Sequence, residues 1–212
     1  APCLPASMTG MPGAQDRCDQ ARHPTPVSMD ATTAATAVVS WNDAAMTWET
    51  TIRLRPLSGA APRDVATFAG SPSALVLTAN SIVWLKETAA ASYLQRQPRA
   101  GGTTTSVKLP TLKPSRLAAT DTAALIPDGL ACLMYRGATK VAVVPPAGYT
   151  LNCRSAVGVG GKLYAGTNEP GPAAGGYSID PTTGVSTKVA SPPPALARVD
   201  LDFNAGKLYG AD

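Results

Sequence analysis

The feature that most constrains this sequence is a unit of strand, tight turn and strand that recurs at a period of about 40 residues. In each copy, apolar or alternating residues flank a turn rich in Gly, Asn or Asp, which tolerate the positive φ of a short hairpin loop. The copies lie at 36–50, 74–87, 116–126, 156–166 and 199–211. This pattern predicts antiparallel strands rather than amphipathic helices.

A second hairpin follows each of the first four copies, and each of these hairpins turns at a glycine: Gly59, Gly101, Gly137 and Gly184. The repeating unit therefore has four strands. Apolar anchors on the expected second strands are 36, 41, 39 and 45 residues apart, at Trp48, Trp84, Leu125, Tyr164 and Tyr209. Four antiparallel strands at this period are typical of a β-propeller blade, and the recurring anchors predict packing between blades.

The pattern predicts about four and a half blades, at about 36–73, 74–115, 116–154 and 155–195, with a partial blade at 196–212. Residues 1–35, in which Pro, Gly and small polar residues dominate, are expected to form an irregular N-terminal arm with one short strand at 26–30. Either this arm completes a fifth blade with the C-terminal hairpin, or the sequence is a piece of a longer chain. A β-sandwich is the alternative fold.

Composition agrees with a chain of many turns. The 212 residues include 19 Gly and 20 Pro, and only 15% are charged, against about 25% in an average soluble domain. These proportions exclude a coiled coil, a helix bundle and collagen. No apolar run approaches the length of a membrane-spanning helix.

Two stretches carry a resemblance to known proteins. In 74–109 and 160–189, a turn is followed by an aromatic strand (NSIVW or GKLYA) and then by a hairpin with a charged residue before its glycine turn (RAGG or DPTTG). Both resemble blades of secreted bacterial propellers of the TolB-like, NHL-like and quinoprotein-like groups. The resemblance implies a propeller over 36–212 and a secreted bacterial protein. It transfers no active-site residue. Because the tryptophan-docking motif of quinoprotein blades is absent, no cofactor is expected.

The cysteines indicate an oxidising compartment. An even number in a charge-poor chain predicts disulfides, and the sequence has four: Cys3, Cys18, Cys132 and Cys153. Of the three possible pairings, short loops favour Cys3–Cys18 and Cys132–Cys153. We therefore expect a protein that is secreted, periplasmic or at the cell surface. The start at Ala1, without an initiator Met, fits a processed secreted protein.

Residues suited to catalysis or metal binding are scarce. The single histidine, His23, lies in a Pro-rich stretch, and no Gly-x-Ser-x-Gly motif occurs. Asp200 and Asp202 are two residues apart, so both would face the same side of one strand. They are the candidate catalytic pair for hydrolysis of a glycoside. With no Cys-x-x-Cys and no EF-hand-type loop, no metal site is expected.

The aromatic residues that break the repeat are the candidates for an exposed ligand contact: Trp41, Tyr93, Tyr135 and Tyr149. Residues 51–115 carry eight Lys or Arg against two Asp or Glu, but few aromatics lie between them, so a nucleic-acid partner is disfavoured. We expect a non-enzymatic extracellular or cell-surface module that binds a protein or a glycan on the propeller faces. The alternatives are a hydrolase or lyase with carboxylates at the channel, and a structural subunit of a larger surface assembly.

Overall fold

A computed structural model of the chain describes residues 27–88, 90–110, 114–169, 171–190, 200–204 and 207–211. Every regular element in these ranges is a strand. The strands of the first two sheets are β1 (Val27–Met29), β2 (Thr33–Asn42), β3 (Thr47–Pro56), β4 (Arg63–Ala69), β5 (Ser71–Leu77), β6 (Ser81–Glu87), β7 (Ser92–Pro98) and β8 (Thr105–Lys108).

The third and fourth sheets contain β9 (Ala118–Ala119), β10 (Ala123–Asp128), β11 (Ala131–Arg136), β12 (Thr139–Val141), β13 (Leu151–Val159), β14 (Lys162–Thr167), β15 (Gly176–Ile179) and β16 (Ser186–Ala190). The fifth sheet consists of β17 (Asp200–Asn204) and β18 (Lys207–Ala211). In every sheet, consecutive strands pair antiparallel. The predicted all-β architecture of four-stranded units is therefore confirmed, and the two packed sheets of a sandwich are not observed.

Successive sheets pack face to face through apolar side chains. On β6, Ile82 and Trp84 face the first sheet, whereas Val83 and Leu85 face the third. All four side chains are fully buried. A strand covered on both faces is apolar at every position rather than at alternate ones, which explains the continuous run IVWL.

Trp84 confirms the predicted packing between blades. Its ring stacks on Phe68 of β4 in the first sheet, with centroids 6.1 Å apart and planes 13° from parallel. Leu125 likewise lies in the core between the third and fourth sheets. One other anchor does not follow the repeat, because Trp48 lies on β3, the third strand of its sheet. Half-buried Tyr164 lies on β14, a second strand as predicted, between the core residues Leu163 and Ala165, and so faces away from the third sheet.

The sheet boundaries differ from the expected blade boundaries, most of all at the first sheet. That sheet begins at Val27 rather than at residue 36, because β1 lies within the stretch expected to be an irregular arm. It confirms the short strand predicted at 26–30, but the strand belongs to the first sheet rather than to a separate arm. Because β1 is the first strand, the hairpin at 36–50 forms the second and third strands of the sheet rather than the first and second. Trp48 therefore lies on the third strand. Residues 1–26 of the expected arm lie outside the described residues.

The outer face of the first sheet, opposite to the second sheet, mixes polar and apolar side chains, and the apolar ones of Val27, Met29 and Val38 are exposed there. It carries an ion pair between Arg53 and Asp64, with Nε and Oδ1 2.5 Å apart, and a hydroxyl hydrogen bond of 3.1 Å between Thr51 and Thr67. Within the described ranges, the first and fifth sheets do not meet to close a ring.

A disulfide joins the third and fourth sheets. It links Cys132 on β11 to Cys153 on β13, with Cα atoms 5.7 Å apart. The predicted pairing of these two residues is confirmed, and it is compatible with a compartment outside the cytoplasm. Cys3 and Cys18 lie outside the described residues. In the part of the chain that the structure describes, no helix is long and apolar enough to cross a membrane.

Candidate functional site

The turns that join the first and second strands of the first four sheets converge at one end of the stack. They span 30–33, 78–81, 120–123 and 159–162. Together they surround an open cavity of about 330 Å³, here named the turn cleft. Its lining consists of Asp30, Leu77, Thr78, Ala79, Ala119, Thr120, Asp121 and residues 158–161.

Local sequence fixes the shape of each turn. Asp30, Thr78 and Thr120 occupy equivalent positions, and each side-chain oxygen accepts a hydrogen bond from the main-chain N three residues later. The distances are 2.8, 3.0 and 3.1 Å, respectively. Such side-chain contacts replace a main-chain turn bond and are the reason that Asp and Thr favour turns. The fourth turn uses Gly160 and Gly161 instead, with φ of 55° and 78°.

Asp121 connects the third sheet to the second. Its carboxylate accepts hydrogen bonds from the Thr78 hydroxyl and from the main-chain N and side-chain amide of Asn80, the latter two at 2.8 and 2.9 Å. Burial opposes ionisation of this group, but the hydrogen bonds and the nearby Arg96 outweigh it, so the pKa of Asp121 lies below its ordinary value. Asp121 is therefore ionised at neutral pH.

Arg96 connects the same two sheets from the opposite direction. Its guanidinium, on β7 of the second sheet, donates to the carbonyls of Thr120, Asp121 and Ala123 at 2.7, 2.5 and 3.1 Å. Burial lowers the pKa of Arg96, while the Asp121 carboxylate raises it. The side chain stays cationic, because an arginine does not deprotonate in the physiological range.

Arg99 connects the second sheet to the first. Its Nη1 lies 2.5 Å from Oδ2 of Asp30 and also donates to the carbonyl of Thr78 at 3.1 Å. Partial burial raises the pKa of Asp30, but hydrogen bonds from Thr32, Arg99 and Thr33 lower it to about 2. The turn cleft is thus held by charged side chains that reach between consecutive sheets.

The chemistry of the turn cleft suits binding. Both carboxylates in its lining are ionised and engaged by donors, so neither is placed to act as a general acid near neutral pH. The lining contains no His, Cys or Lys side chain among the residues that the structure describes. The candidate catalytic pair, Asp200 and Asp202, lies on β17, two residues apart. Their side chains lie outside the described part of the structure.

A second cavity, the disulfide groove, lies at the opposite end of the third and fourth sheets. It has a volume of about 280 Å³. It is lined by Leu130, Ala131, Cys132, Val143, Pro145, Thr150 and Leu151. Leu130, in the turn between β10 and β11, leaves 75% of its surface exposed. This groove is apolar, in contrast to the turn cleft.

The four aromatic residues expected to contact a ligand are distributed over different parts of the fold, and none lines either cavity. Half-buried Trp41 packs edge-on against Trp48, with centroids 5.5 Å apart. Tyr93, also half-buried, lies on β7 between its register partners on β6 and β8. The Tyr149 hydroxyl accepts a hydrogen bond of 3.2 Å from the main-chain N of Ala173, which holds a loop before β15.

Tyr135 requires a correction. It is only 5% exposed and belongs to the core between the second and third sheets, so its ring is not an exposed contact. Its burial also raises its pKa. The alternation of residues on β11 identifies two faces of the strand. It does not show that a neighbouring sheet covers both of them.

In the sequence pattern, Asp121 is only a turn residue of the copy at 116–126, and Arg96 and Arg99 belong only to the basic stretch at 51–115. What marks these residues in the sequence is that the same residue types recur at similar places in successive sheets. Asp or Thr opens the first turn of three successive sheets, and arginines lie at the ends of three third strands. This signal becomes visible only once the strands are assigned to sheets.

No family model matches the chain, and no curated protein matches it in sequence. Among solved structures, it is similar to HIRA residues 644–1017, with a TM-score of 0.50 and 9% identity over 76% of this chain and 51% of that one. It is also similar to the β-propeller domain of the Trilobed protease from Pyrococcus furiosus, with a TM-score of 0.45 and 8% identity over 87% of this chain and 55% of that one.

A third similar structure is an apocarotenoid oxygenase from Synechocystis, with a TM-score of 0.45 and 10% identity over 80% of this chain and 50% of that one. The chain spans about half the length of the solved structures that it matches. At these identities the likeness concerns the fold alone. The fold is that of a β-propeller in which the described sheets leave the ring open.

Proposed function

We propose that this chain is a non-enzymatic binding module that holds a segment of a protein partner in the turn cleft. The observation that carries the proposal is the construction of this cleft: turns of four sheets surround it. Cross-sheet hydrogen bonds from Asp121, Arg96 and Arg99 hold those turns together. A site fixed before its ligand arrives loses less entropy on binding, which favours affinity.

Binding is favoured over catalysis because both carboxylates of the turn cleft already accept hydrogen bonds from groups of the chain itself. The carboxylate of Asp30 accepts hydrogen bonds from Thr32, Thr33 and Arg99. A catalytic acid or base instead needs a pKa near the working pH and a free path to its substrate. These carboxylates fix the shape of the site and present main-chain groups of the turns to a ligand.

A protein partner is favoured over a glycan because, among the side chains that the structure describes, no aromatic one lines either cavity. An aromatic ring offers a flat apolar surface on which the apolar face of a sugar ring can stack, and the turn cleft has none. Its mixture of main-chain groups and small side chains suits an extended peptide segment. The proposed setting is the exterior or the surface of a bacterial cell, supported by the Cys132–Cys153 disulfide.

The test uses two matched tryptophan variants. Ala79 is exposed and lines the turn cleft, so Ala79→Trp fills the cleft without burying the new ring. Ala44 is exposed in the turn between β2 and β3, at the other end of the first sheet, so Ala44→Trp is the control. The probes are a phage-displayed library of random peptides and a printed glycan array.

We expect the wild type and Ala44→Trp to select the same peptides and Ala79→Trp to lose them. Strong glycan binding with no peptide selection would contradict a protein partner. Peptides that bind Ala79→Trp as well as the wild type would show that the turn cleft is not the site. Hydrolysis of glycosides that is lost in Asp200→Asn would replace the proposal with the enzyme alternative.

A further inference from the structure

The third strands of the first three sheets each place an arginine at the turn-cleft end. Arg55 is the penultimate residue of β3, Arg99 directly follows β7, and Arg136 ends β11. In an antiparallel meander, the third strand runs toward the same end as the first, so these residues end beside the turns described above. Each of these third strands thus has an arginine within one residue of its end.

Hydrogen bonds show how close these strand ends are to the turns. Leu57, just after β3, donates its main-chain N to the carbonyl of Thr32 at 2.8 Å. Gly137, just after β11, donates to the carbonyl of Thr122 at 3.3 Å. In the fourth sheet, exposed Lys162 directly follows the Gly160–Gly161 turn that lines the cleft. Exposed cations of three sheets therefore lie at the end of the stack that holds the turn cleft, which is here called its rim.

The acidic residues at this end are occupied by partners within the chain. Asp30 is paired with Arg99, and Asp121 is bound by Thr78 and Asn80. Asp180 directs Oδ1 to the main-chain N of Thr182 and Thr183 in its own turn, at 2.7 and 2.9 Å.

The cations at the rim differ from these carboxylates. Arg55, Arg136 and Lys162 are exposed, and none forms an ion pair with another described residue. The described part of this end consequently offers positive charge to a partner.

We infer that the segment held at the turn cleft is acidic, a peptide rich in Asp and Glu whose carboxylates contact Arg55, Arg136 and Lys162. This inference rests on the proposed function and adds the chemistry of the partner. Hydrogen bonds between guanidinium and carboxylate groups are charge-assisted and stronger than neutral ones. A positive rim also accelerates association with an acidic partner.

A single-stranded nucleic acid would also carry negative charge, but the turn cleft lacks the surfaces that such a ligand uses. Proteins that bind single strands stack bases on aromatic rings. The cleft lining contains no aromatic residue. The observations therefore favour an acidic peptide.

The experiment is fluorescence anisotropy with fluorescein-labelled hexaglutamate, with hexaserine and oligothymidylate as comparison probes. We expect the wild type to bind hexaglutamate, to lose roughly tenfold in affinity between about 20 mM and about 200 mM salt, and to ignore hexaserine. The triple variant Arg55→Glu, Arg136→Glu, Lys162→Glu is expected to lose binding, and the neutral triple variant with Gln at the same positions is expected to weaken it at least about tenfold.

The matched control reverses three exposed cations away from the rim: Lys108→Glu, Arg154→Glu and Lys188→Glu. It has the same net charge as the rim variant, so retained binding by the control and lost binding by the rim variant assign the site. Circular dichroism verifies that each variant is folded. If the charge-reversed rim variant is unfolded, the affinity of the neutral Gln variant decides whether the rim binds the peptide.

Equal binding by the rim variant and the control would overturn the inference, and so would no binding of hexaglutamate by the wild type. Oligothymidylate that binds as tightly as hexaglutamate would overturn it in favour of nucleic acid. Failure of this inference is distinguishable from failure of the proposed function. If the peptide library yields neutral sequences whose binding is lost in Ala79→Trp, the proposed binding module is supported and the inference of an acidic partner is rejected.

Discussion

Asp121 and Asn80 are joined by two hydrogen bonds at once, although they belong to turns of different sheets. The Asp121 carboxylate accepts one bond from the main-chain N of Asn80 at 2.8 Å and another from its side-chain amide at 2.9 Å. The pair links the second and third sheets outside their apolar core. The geometry of the turn cleft depends on this link, because both residues lie in turns that surround the cleft.

The variant Asp121→Asn tests this link. The new side chain keeps one acceptor oxygen but turns an amide donor toward the donors of Asn80, so we expect the free energy of unfolding to fall by about 1–3 kcal/mol. Urea unfolding followed by tryptophan fluorescence measures the change. Asp43→Asn, in an exposed turn at the other end of the first sheet, is the control and should stay within about 0.5 kcal/mol of the wild type. Equal stability of the two variants would contradict the bridging role.

The pKa of Asp30 predicts how stability depends on pH. Its folded value of about 2 lies below its ordinary 3.8. The carboxylate therefore stabilises the fold above pH 3.8, and this contribution is lost as the pH falls toward 2. Because the side chain is 35% exposed, we expect a contribution of only about 1 kcal/mol.

Urea unfolding of the wild type and Asp30→Asn across this pH range tests the prediction. The difference between their unfolding free energies should disappear in acid. Arg99→Gln removes one donor to the Asp30 carboxylate. The stabilisation by this carboxylate should then be lost at a higher pH than in the wild type. A difference that does not change with pH would show that Asp30 acts without its charge.

Gly158 is predicted to be intolerant of any side chain. A Cβ at this position would lie 1.9 Å from the carbonyl oxygen of Ala119, because β13 and β9 approach closely. We expect Gly158→Ala to destabilise the fold by more than about 3 kcal/mol, since main chain must move to relieve the overlap.

Gly137→Ala is the matched control for this glycine. Gly137 has a φ of 58° and open space around it, so alanine there should cost only about 1–2 kcal/mol of backbone strain. Thermal unfolding by circular dichroism ranks the two variants. The reverse order would refute the close approach of the two strands.

The disulfide between the third and fourth sheets is expected to stabilise the fold substantially. Its cysteines are 21 residues apart in sequence, a loop for which the chain-entropy model gives about 3 kcal/mol. The double variant Cys132→Ser, Cys153→Ser and the reduced wild type should both lose about this amount in urea unfolding. No difference between the oxidised and reduced wild type would show that the bond contributes nothing.

Much of the fold follows from local chemistry and could be predicted. Glycines and Asn or Asp residues mark the turns, so the hairpins at Asn80, Asp121 and Gly160–Gly161 were located correctly. The pairing of Cys132 with Cys153 was predicted from the short loop between them. These features depend on residues that are close in sequence.

The candidate site depends on contacts between sheets, which local patterns do not encode. Asp121 meets Thr78 across 43 residues, and no periodicity sets that register. The same limit explains the error at Tyr135, because burial of its ring requires the neighbouring sheet. The displaced anchor at Trp48 has a different cause: the short strand expected at 26–30 was assigned to the N-terminal arm, and three residues do not show which sheet they join.

The outer face of the first sheet has a consequence for self-association. Exposed β-sheets are templates on which other copies of a chain can aggregate. Any layer that covered this face would have to remove water from the ion pair of Arg53 and Asp64, which is unfavourable. The ion pair therefore opposes burial of its own part of the face, whereas the exposed side chains of Val27, Met29 and Val38 on the same face favour burial.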